Sequence, residues 1–259
     1  MIPPKTPESS FESSHQWYSN LVGKEGHYYH QKVILPALLF LMNLKNPEKK
    51  ALLDLGCGQG ILERHLPKKL NYTGIDLSAS LIQEAQRLCK NPSRHFLVSD
   101  ITEELPIKKH FFDFVVLLLS LQNLENGEKA IQNAALHLKN HGELLIVLNH
   151  PAFRIPRQSA WHFNEKSRLF SREVMSYLSS MKIPIQTAPS KNHFSPTTHS
   201  YHHPLSTYSQ WLKKNHFFIE ELQELVSDKV STGSRARAEN RIRKEIPLFL
   251  ILKARKIIF

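Results

Sequence analysis

Cysteine is almost missing: Cys57 and Cys89 are the only two in 259 residues. Cys57 stands inside a glycine-rich turn, where a disulfide would be awkward, so both are read as free thiols of a reducing, cytoplasmic compartment. No apolar run approaches the roughly 20 residues of a membrane-spanning helix. The longest, Phe111 to Leu121, is interrupted by Asp113, so no membrane insertion is expected. The first residues, Met1 to Glu8, are polar and proline-rich and lack the apolar centre of a signal peptide. No serine occupies a G-x-S-x-G elbow, which removes support for hydrolase chemistry. No H-E-x-x-H pair occurs, and His193, His199, His202 and His203 lack nearby paired carboxylates or cysteines, so no metal site is expected. Acidic side chains are the minority, 23 against 34 lysines and arginines, for a net charge of +11. That surplus invites a polyanion such as RNA. The lysines are spread along the chain, as compositional bias also produces, and nucleic acid ranks behind a small molecule as the expected partner.

Glycine is scarce too, nine in all, yet Gly56, Gly58 and Gly60 fall at alternate positions. They follow Leu52-Leu53-Asp54-Leu55, an apolar run of strand type. A strand that breaks into glycines brings backbone close to a ligand, because no Cβ holds the ligand off. Ile61 to Leu66 can open a helix, and Pro67 ends it. Asn71 to Asp76 reads as a second strand closed by a carboxylate. Ser78 is a plausible N-cap for a helix over Ala79 to Leu88, with Leu81, Ile82, Ala85 and Leu88 on its buried face. His95 to Ile101 reads as a third strand carrying Asp100 near its end. The near-continuous apolar run around Phe111 to Ser120 suits a central parallel strand covered on both faces. A helix is expected over Gly127 to Lys139, a turn at His141-Gly142-Glu143 and a fifth strand over Leu144 to Leu148.

The D-x-G-x-G-x-G spacing departs from the dinucleotide fingerprint G-x-G-x-x-G. With Asp76 and Asp100 ending the next two strands, the chain resembles the class I S-adenosylmethionine-dependent methyltransferases. The resemblance covers about Ala51 to Leu148 strongly and Leu205 to Lys256 moderately. It implies an α/β fold: a doubly wound, seven-stranded, mostly parallel sheet of Rossmann-like methyltransferase type whose last strand runs antiparallel beside the fifth. It also implies S-adenosylmethionine as cofactor. Asp54, Leu55, Gly56, Cys57, Gly58 and Gly60 would lie under its amino-acid end, and Asp76 and Leu77 at its ribose. Asp100 and Ile101 would lie at its adenine, and Leu118 and Ser120 at the end of the fourth strand. The D/N-P-P-Y turn of methyltransferases acting on planar base nitrogens is absent.

Four segments are expected: an N-terminal tail and helical lid (1–45), the cofactor core (46–148), a substrate cap inserted after the fifth strand (149–204) and the completion of the core (205–259). Residues 1–15 read as a disordered tail, and Gly23 and Gly26 separate a helix containing Trp17 from one carrying Leu35, Leu38 and Leu39. In the cap, Met181 to Ile185 and Thr197 to His203 suggest a hairpin. Ser206 or Thr207 is placed near the N-cap of the next helix, sixth and seventh strands follow from Phe218 and Ile246, and Asp228 to Lys244 reads as a basic loop with helical character. His150 and Tyr208 are the candidate catalytic residues, His150 as a neutral imidazole base. Tyr29, His30, Arg154, Arg157, His202 and His203 are the candidate substrate contacts, the two arginines as a clamp for carboxylate or phosphate. The expected activity is methyl transfer to a small organic or lipid-like acceptor. The alternatives are an RNA or protein methyltransferase and a non-catalytic S-adenosylmethionine-binding protein.

Overall fold

The computed structural model describes residues 11–186 and 197–257. Eleven strands follow in chain order: β1 Ala51–Leu55, β2 Asn71–Asp76, β3 His95–Val98, β4 Phe112–Leu118, β5 Leu138–Asn149, β6 Ser159–Asn164, β7 Leu169–Val174, β8 Met181–Gln186, β9 Thr197–His202, β10 Phe217–Leu225 and β11 Phe249–Lys256. The helices are α1 His15–Val22, α2 Leu35–Met42, α3 Ala79–Leu88, α4 Gly127–His137, α5 Leu205–Lys214 and α6 Ala236–Glu245.

Seven strands form one sheet in the order β10-β11-β5-β4-β1-β2-β3. The β3 to β5 portion is parallel, and β11 runs antiparallel to both β5 and β10. The two faces of the sheet divide the apolar side chains by strand period. Leu53, Leu55, Leu144, Ile146 and Leu148 pack with Ala130, Ile131 and Ala134 of α4 and with Leu212 of α5. Leu52, Leu145 and Val147 point the other way, onto Ile34, Leu35, Leu38 and Met42 from α2 and the π-helical turn before it. This is the doubly wound fold expected, with both faces covered. Asp113 at the start of β4 joins three strands. Its carboxylate accepts from the Ala51 amide at 2.9 Å, Lys50 at 3.1 Å and Lys139 at 2.8 Å.

Several boundaries differ from the sequence expectation. No α-helix follows the glycine turn: Glu63–His65 forms a single 3-10 turn, because Pro67 comes too soon and Glu63 is drawn into a buried ion pair with Arg94. The β3 strand stops at Val98, so Asp100 sits in the following turn. The His141–Glu143 turn is absorbed into β5 as an irregularity, with His141 at φ 62°. Neither Ser206 nor Thr207 caps α5. Pro204 is the N-cap, and the Tyr177 hydroxyl accepts from the Leu205 amide at 3.0 Å. The last strand begins at Phe249, past Pro247, instead of at Ile246. From Phe11 onward the expected tail is ordered; residues 1–10 lie outside the described residues.

The β8–β9 hairpin pairs as anticipated, Met181 with His202 through Gln186 with Thr197. A second hairpin, β6–β7, was not legible: its strands are mostly exposed and alternate little in polarity. The basic stretch after Asp228 contains α6, which packs against β7. His193 lies outside the described residues. Among the described residues no helix is long and apolar enough to cross a membrane.

Candidate active site

The glycine turn is forced by its surroundings. Gly56, at φ 76°, lies so close to Ser120 that any Cβ would collide with the Ser120 Cβ, whose Oγ donates to the Leu55 carbonyl at 2.7 Å. Gly58, at φ 54°, faces the Tyr18 ring, and a Cβ there would meet the hydroxyl at 3.4 Å. The Gly56 and Cys57 amides both donate to the Ile75 carbonyl, at 2.8 and 3.0 Å, which fastens the turn to the end of β2.

Each of the three carboxylates singled out in the sequence is held differently. Asp76 Oδ2 accepts from the Gly58 amide at 2.8 Å and Oδ1 from the Ser78 amide at 2.9 Å. Burial pushes its carboxyl upward, against those backbone bonds. Asp100 Oδ1 accepts from the Thr102 amide at 2.8 Å and hydroxyl at 2.7 Å, which leaves Oδ2 clear of these bonds. Asp54 is buried behind the turn. Its Oδ2 accepts from the Tyr72 hydroxyl at 2.9 Å, and its Oδ1 is buried with no hydrogen-bond partner. Burial lifts its pKa to about 7, with Tyr72 opposing and Asp76 adding to the rise.

A cavity of about 630 Å³ opens at the carboxyl ends of β1 to β5. Of the residues expected at the cofactor, Gly56, Gly58, Asp76, Leu77, Asp100, Ile101, Leu118 and Ser120 line it. Asp54, Leu55, Cys57 and Gly60 stand outside its wall. Gly60 still needs to be small, because a Cβ would meet Ala85 at 3.3 Å.

The N-terminal segment supplies another wall, through Phe11, Trp17, Tyr18, Leu21 and Val22. It is fastened at both ends. Glu12 accepts from the Ser78 hydroxyl at 2.5 Å and from the Ser80 hydroxyl at 2.6 Å, at the start of α3. The Gln59 side chain donates to the Gly23 carbonyl at 2.5 Å, and Arg64 donates to Lys24 O at 2.8 Å.

The candidate substrate residues separate. Tyr29, His30 and Arg154 reach the cavity. The Tyr29 hydroxyl pairs with Ser227 at 3.2 Å. His30 is held neutral: burial, then His27 and His65, pull its pKa down to about 4, and its Nδ1 is buried without a partner. Arg157 does not contribute; it is exposed, in the left-handed region at φ 61°. His202 and His203 do not line the cavity. His202 Nε2 donates to the Tyr177 carbonyl at 2.7 Å, and His203 packs edge-on against Trp211 at 4.8 Å.

Neither candidate catalytic residue reaches the cavity. His150 Nδ1 accepts from the Ala152 and Phe153 amides at 3.2 and 3.3 Å, so its proton is on Nε2, which donates to Glu224 at 2.8 Å. With both nitrogens engaged and the ring buried, His150 fixes the chain as it leaves β5. Tyr208 is buried in the sheet core, 5.5 Å from Trp211 in an edge-on contact. Sequence reasoning missed Leu119, Asn149 and Phe249 as wall residues. Leu119 sits at φ 55°, strain of the kind that concentrates at ligand sites and that sequence does not reveal. Among the described residues no group of three or more His, Cys, Asp or Glu side chains is placed to hold a metal ion.

Comparison with known proteins agrees with this geometry. Residues 53–146 match the family described as "Methyltransferase domain". This core belongs to the class I S-adenosylmethionine-dependent methyltransferases. The ubiquinone/menaquinone biosynthesis C-methyltransferase UbiE of Wigglesworthia glossinidia brevipalpis is 29% identical over 117 residues, 42% of this chain and 46% of that protein. The matched region thus spans less than half of that relative. An uncharacterized protein of Haemophilus influenzae is 26% identical over 86% of both chains. A solved S-adenosylmethionine-dependent methyltransferase from Mesorhizobium loti superposes with TM-score 0.65 at 22% identity, covering 85% of this chain and 96% of that one.

The methyltransferase core suits S-adenosylmethionine, the cofactor of its family. The glycine cradle leaves the space a Cβ would take, and Asp76 is preset by two amides. Asp54 adds a pH dependence. Its carboxyl is ordinary in the unfolded chain, near 3.8, and raised to about 7 when folded. Between those values the folded state holds the extra proton, so stability falls as pH rises through this window and the loss is complete above about 7. Asp54→Asn removes this contribution. Its melting temperature relative to wild type, followed by calorimetry, is expected to rise by several degrees from pH 5 to pH 8. A constant difference across that range would mean that Asp54 does not titrate there.

Proposed function

We propose that this chain transfers a methyl group from S-adenosylmethionine to a small organic or lipid-like acceptor bound in the same cavity. The observation that carries the reading is the roofed cavity. One volume of about 630 Å³, the size of a small-molecule site, joins the glycine turn and Asp76 to Tyr29, His30, Arg154 and Phe249. Residues 11–45 act as the lid, tied down by Glu12, and among the described residues of the insertion after β5 just Asn149 and Arg154 reach the wall. A macromolecular acceptor would need an open groove in place of that roof.

S-adenosylmethionine supplies a methyl carbon activated by a sulfonium, whose departure as a neutral thioether needs no acid. The protein's part is positioning and water exclusion. Asp76 and Asp100 hold the nucleoside end, and the glycine turn lets backbone approach the amino-acid end. Neutral His30 offers Nδ1 as an acceptor to a hydroxyl of the acceptor. At a pKa of about 4 it is a weak base, and it orients the nucleophile more than it deprotonates it. The two free thiols, one buried in the turn, suit a reducing cytoplasmic setting.

A second reading, methylation of RNA, draws on a separate concavity of about 370 Å³ between the β6–β7 hairpin and α6. Arg168, Arg237 and Arg241 line it beside Phe163, and among the described residues none of these three arginines has an ion-pair partner. Incubation of a cell extract with the protein and methyl-labelled cofactor separates the readings. Label is expected in the small-molecule fraction. Label in RNA, with transfer falling steeply with salt, would replace the first reading with the second. Cofactor binding without label in any fraction would leave a binding protein.

A further inference from the structure

We propose that the acceptor carries an anionic group, a carboxylate or a phosphate, and that the guanidinium of Arg154 binds it. This rests on the small-molecule reading above and names the chemistry of that acceptor. Arg154 follows β5 and lines the cavity wall. Its guanidinium lies over the Phe249 ring, 4.7 Å from the centroid, and Phe249 in turn meets Tyr29 edge-on at 5.5 Å. That stack fixes the plane of the fork. Its Nη1 is buried and has no hydrogen-bond acceptor, and among the described residues no carboxylate pairs with it. A buried guanidinium with an unmet donor is costly to fold around, and a carboxylate or phosphate oxygen satisfies it with a charge-assisted bond.

The surroundings point the same way. Arg172 lies near enough for its charge to disfavour a second cation at Arg154. Arg172 donates through Nε to the Phe153 carbonyl at 2.6 Å and through Nη2 to the Ser159 hydroxyl at 2.7 Å, which holds it against its own loop. It thus adds positive potential beside Arg154, and it is not among the residues lining the cavity. The sheet order separates this anion site from the cofactor. The residues matched to the cofactor come from the ends of β1, β2, β3 and β4, whereas Phe249 opens β11 and Arg154 lies in the loop after β5, beyond β4. At about 4.8 Å per strand, β5 stands roughly 10 Å from β1. Phe249, Tyr29 and Leu119 offer the body of the acceptor an apolar and aromatic wall beside the charge.

The test uses benzoate and its uncharged isostere benzamide as probes, titrated into the protein with saturating S-adenosylhomocysteine. Wild type is expected to prefer benzoate by at least about tenfold, the scale of one charge-assisted contact. Arg154→Gln is expected to abolish that preference while leaving S-adenosylhomocysteine affinity within about twofold, and Arg154→Lys, which keeps the charge without the stacked fork, to retain part of it. Circular dichroism establishes that each variant is folded, and Arg154→Lys decides if Arg154→Gln is not. Equal binding of the two probes by wild type overturns the proposal. So does loss of S-adenosylhomocysteine affinity in Arg154→Gln, which would assign the guanidinium to the cofactor's own carboxylate. If wild type does not bind S-adenosylhomocysteine at all, the methyltransferase reading fails. The benzoate preference, measured without it, still decides the anion site.

Discussion

Asp76→Ala is expected to weaken S-adenosylhomocysteine binding by about a hundredfold or more, measured by calorimetry at pH 7.5. Two losses combine. The first is organisation of the turn: Asp76 is the shared acceptor for the Gly58 and Ser78 amides, so it fixes the glycine loop and the start of α3 relative to each other. The second is direct contact, since a carboxylate at the end of β2 is placed to accept from ribose hydroxyls. Hydrogen bonds to a charged group contribute about 1.5–3 kcal/mol each, and two of them exceed a hundredfold in affinity. Asp76→Asn separates the losses, because its side-chain carbonyl still accepts from one amide. It is expected to fall between wild type and Asp76→Ala. Unchanged affinity in Asp76→Ala would remove the assignment of Asp76 to the cofactor, since among the described residues no other carboxylate joins the glycine turn to α3.

Glu63→Ala is expected to cost about 3–5 kcal/mol of stability, the range for leaving one partner of a buried ion pair alone. For a chain of this size that is a fall of roughly 10 °C in melting temperature. The Glu63 and Arg94 side chains are 6% and 1% exposed and meet at 3.0 Å. Arg94 also donates to the Leu70 carbonyl and, at 2.8 Å, to the Pro67 carbonyl, and it covers the Tyr72 ring at 5.6 Å. The pair thus ties the segment after the glycine turn to the approach of β3. Removing Glu63 strands a guanidinium that has no route to water. The double variant Glu63→Leu, Arg94→Met, which replaces both charges with apolar volume, is expected to recover much of the loss. A melting temperature within about 2 °C of wild type for Glu63→Ala would mean that water reaches Arg94.

What was legible before the structure follows a physical division. The strands of the core were readable because burial on both faces demands continuous apolar runs, as in Phe112 to Leu118. The Ser78 cap was readable because its hydroxyl accepts the Leu81 amide, a bond local in sequence. The helix expected after Gly60 failed for the opposite reason. Its residues can form a helix, but Glu63 is committed to Arg94, which lies far along the chain and is invisible to a local reading. The β6–β7 hairpin left no pattern because little of it is buried.

The candidate site divides in the same way. The family and its cofactor were determined by sequence alone, since a glycine turn that lets backbone reach a ligand needs its residue types at fixed local spacing, and Asp76 and Asp100 repeat that logic at the next two strand ends. The acceptor side was decided only by tertiary structure. His150 stood first after β5 and read as a base, but its nitrogens are taken by Glu224 and by local backbone. Arg154 and Arg157 read as one clamp. The chain turns so that one stacks on Phe249 in the cavity wall and the other faces solvent. Which side chain reaches a cavity depends on contacts among segments far apart in sequence, such as Tyr29, Arg154 and Phe249, and no spacing rule within one segment encodes their meeting.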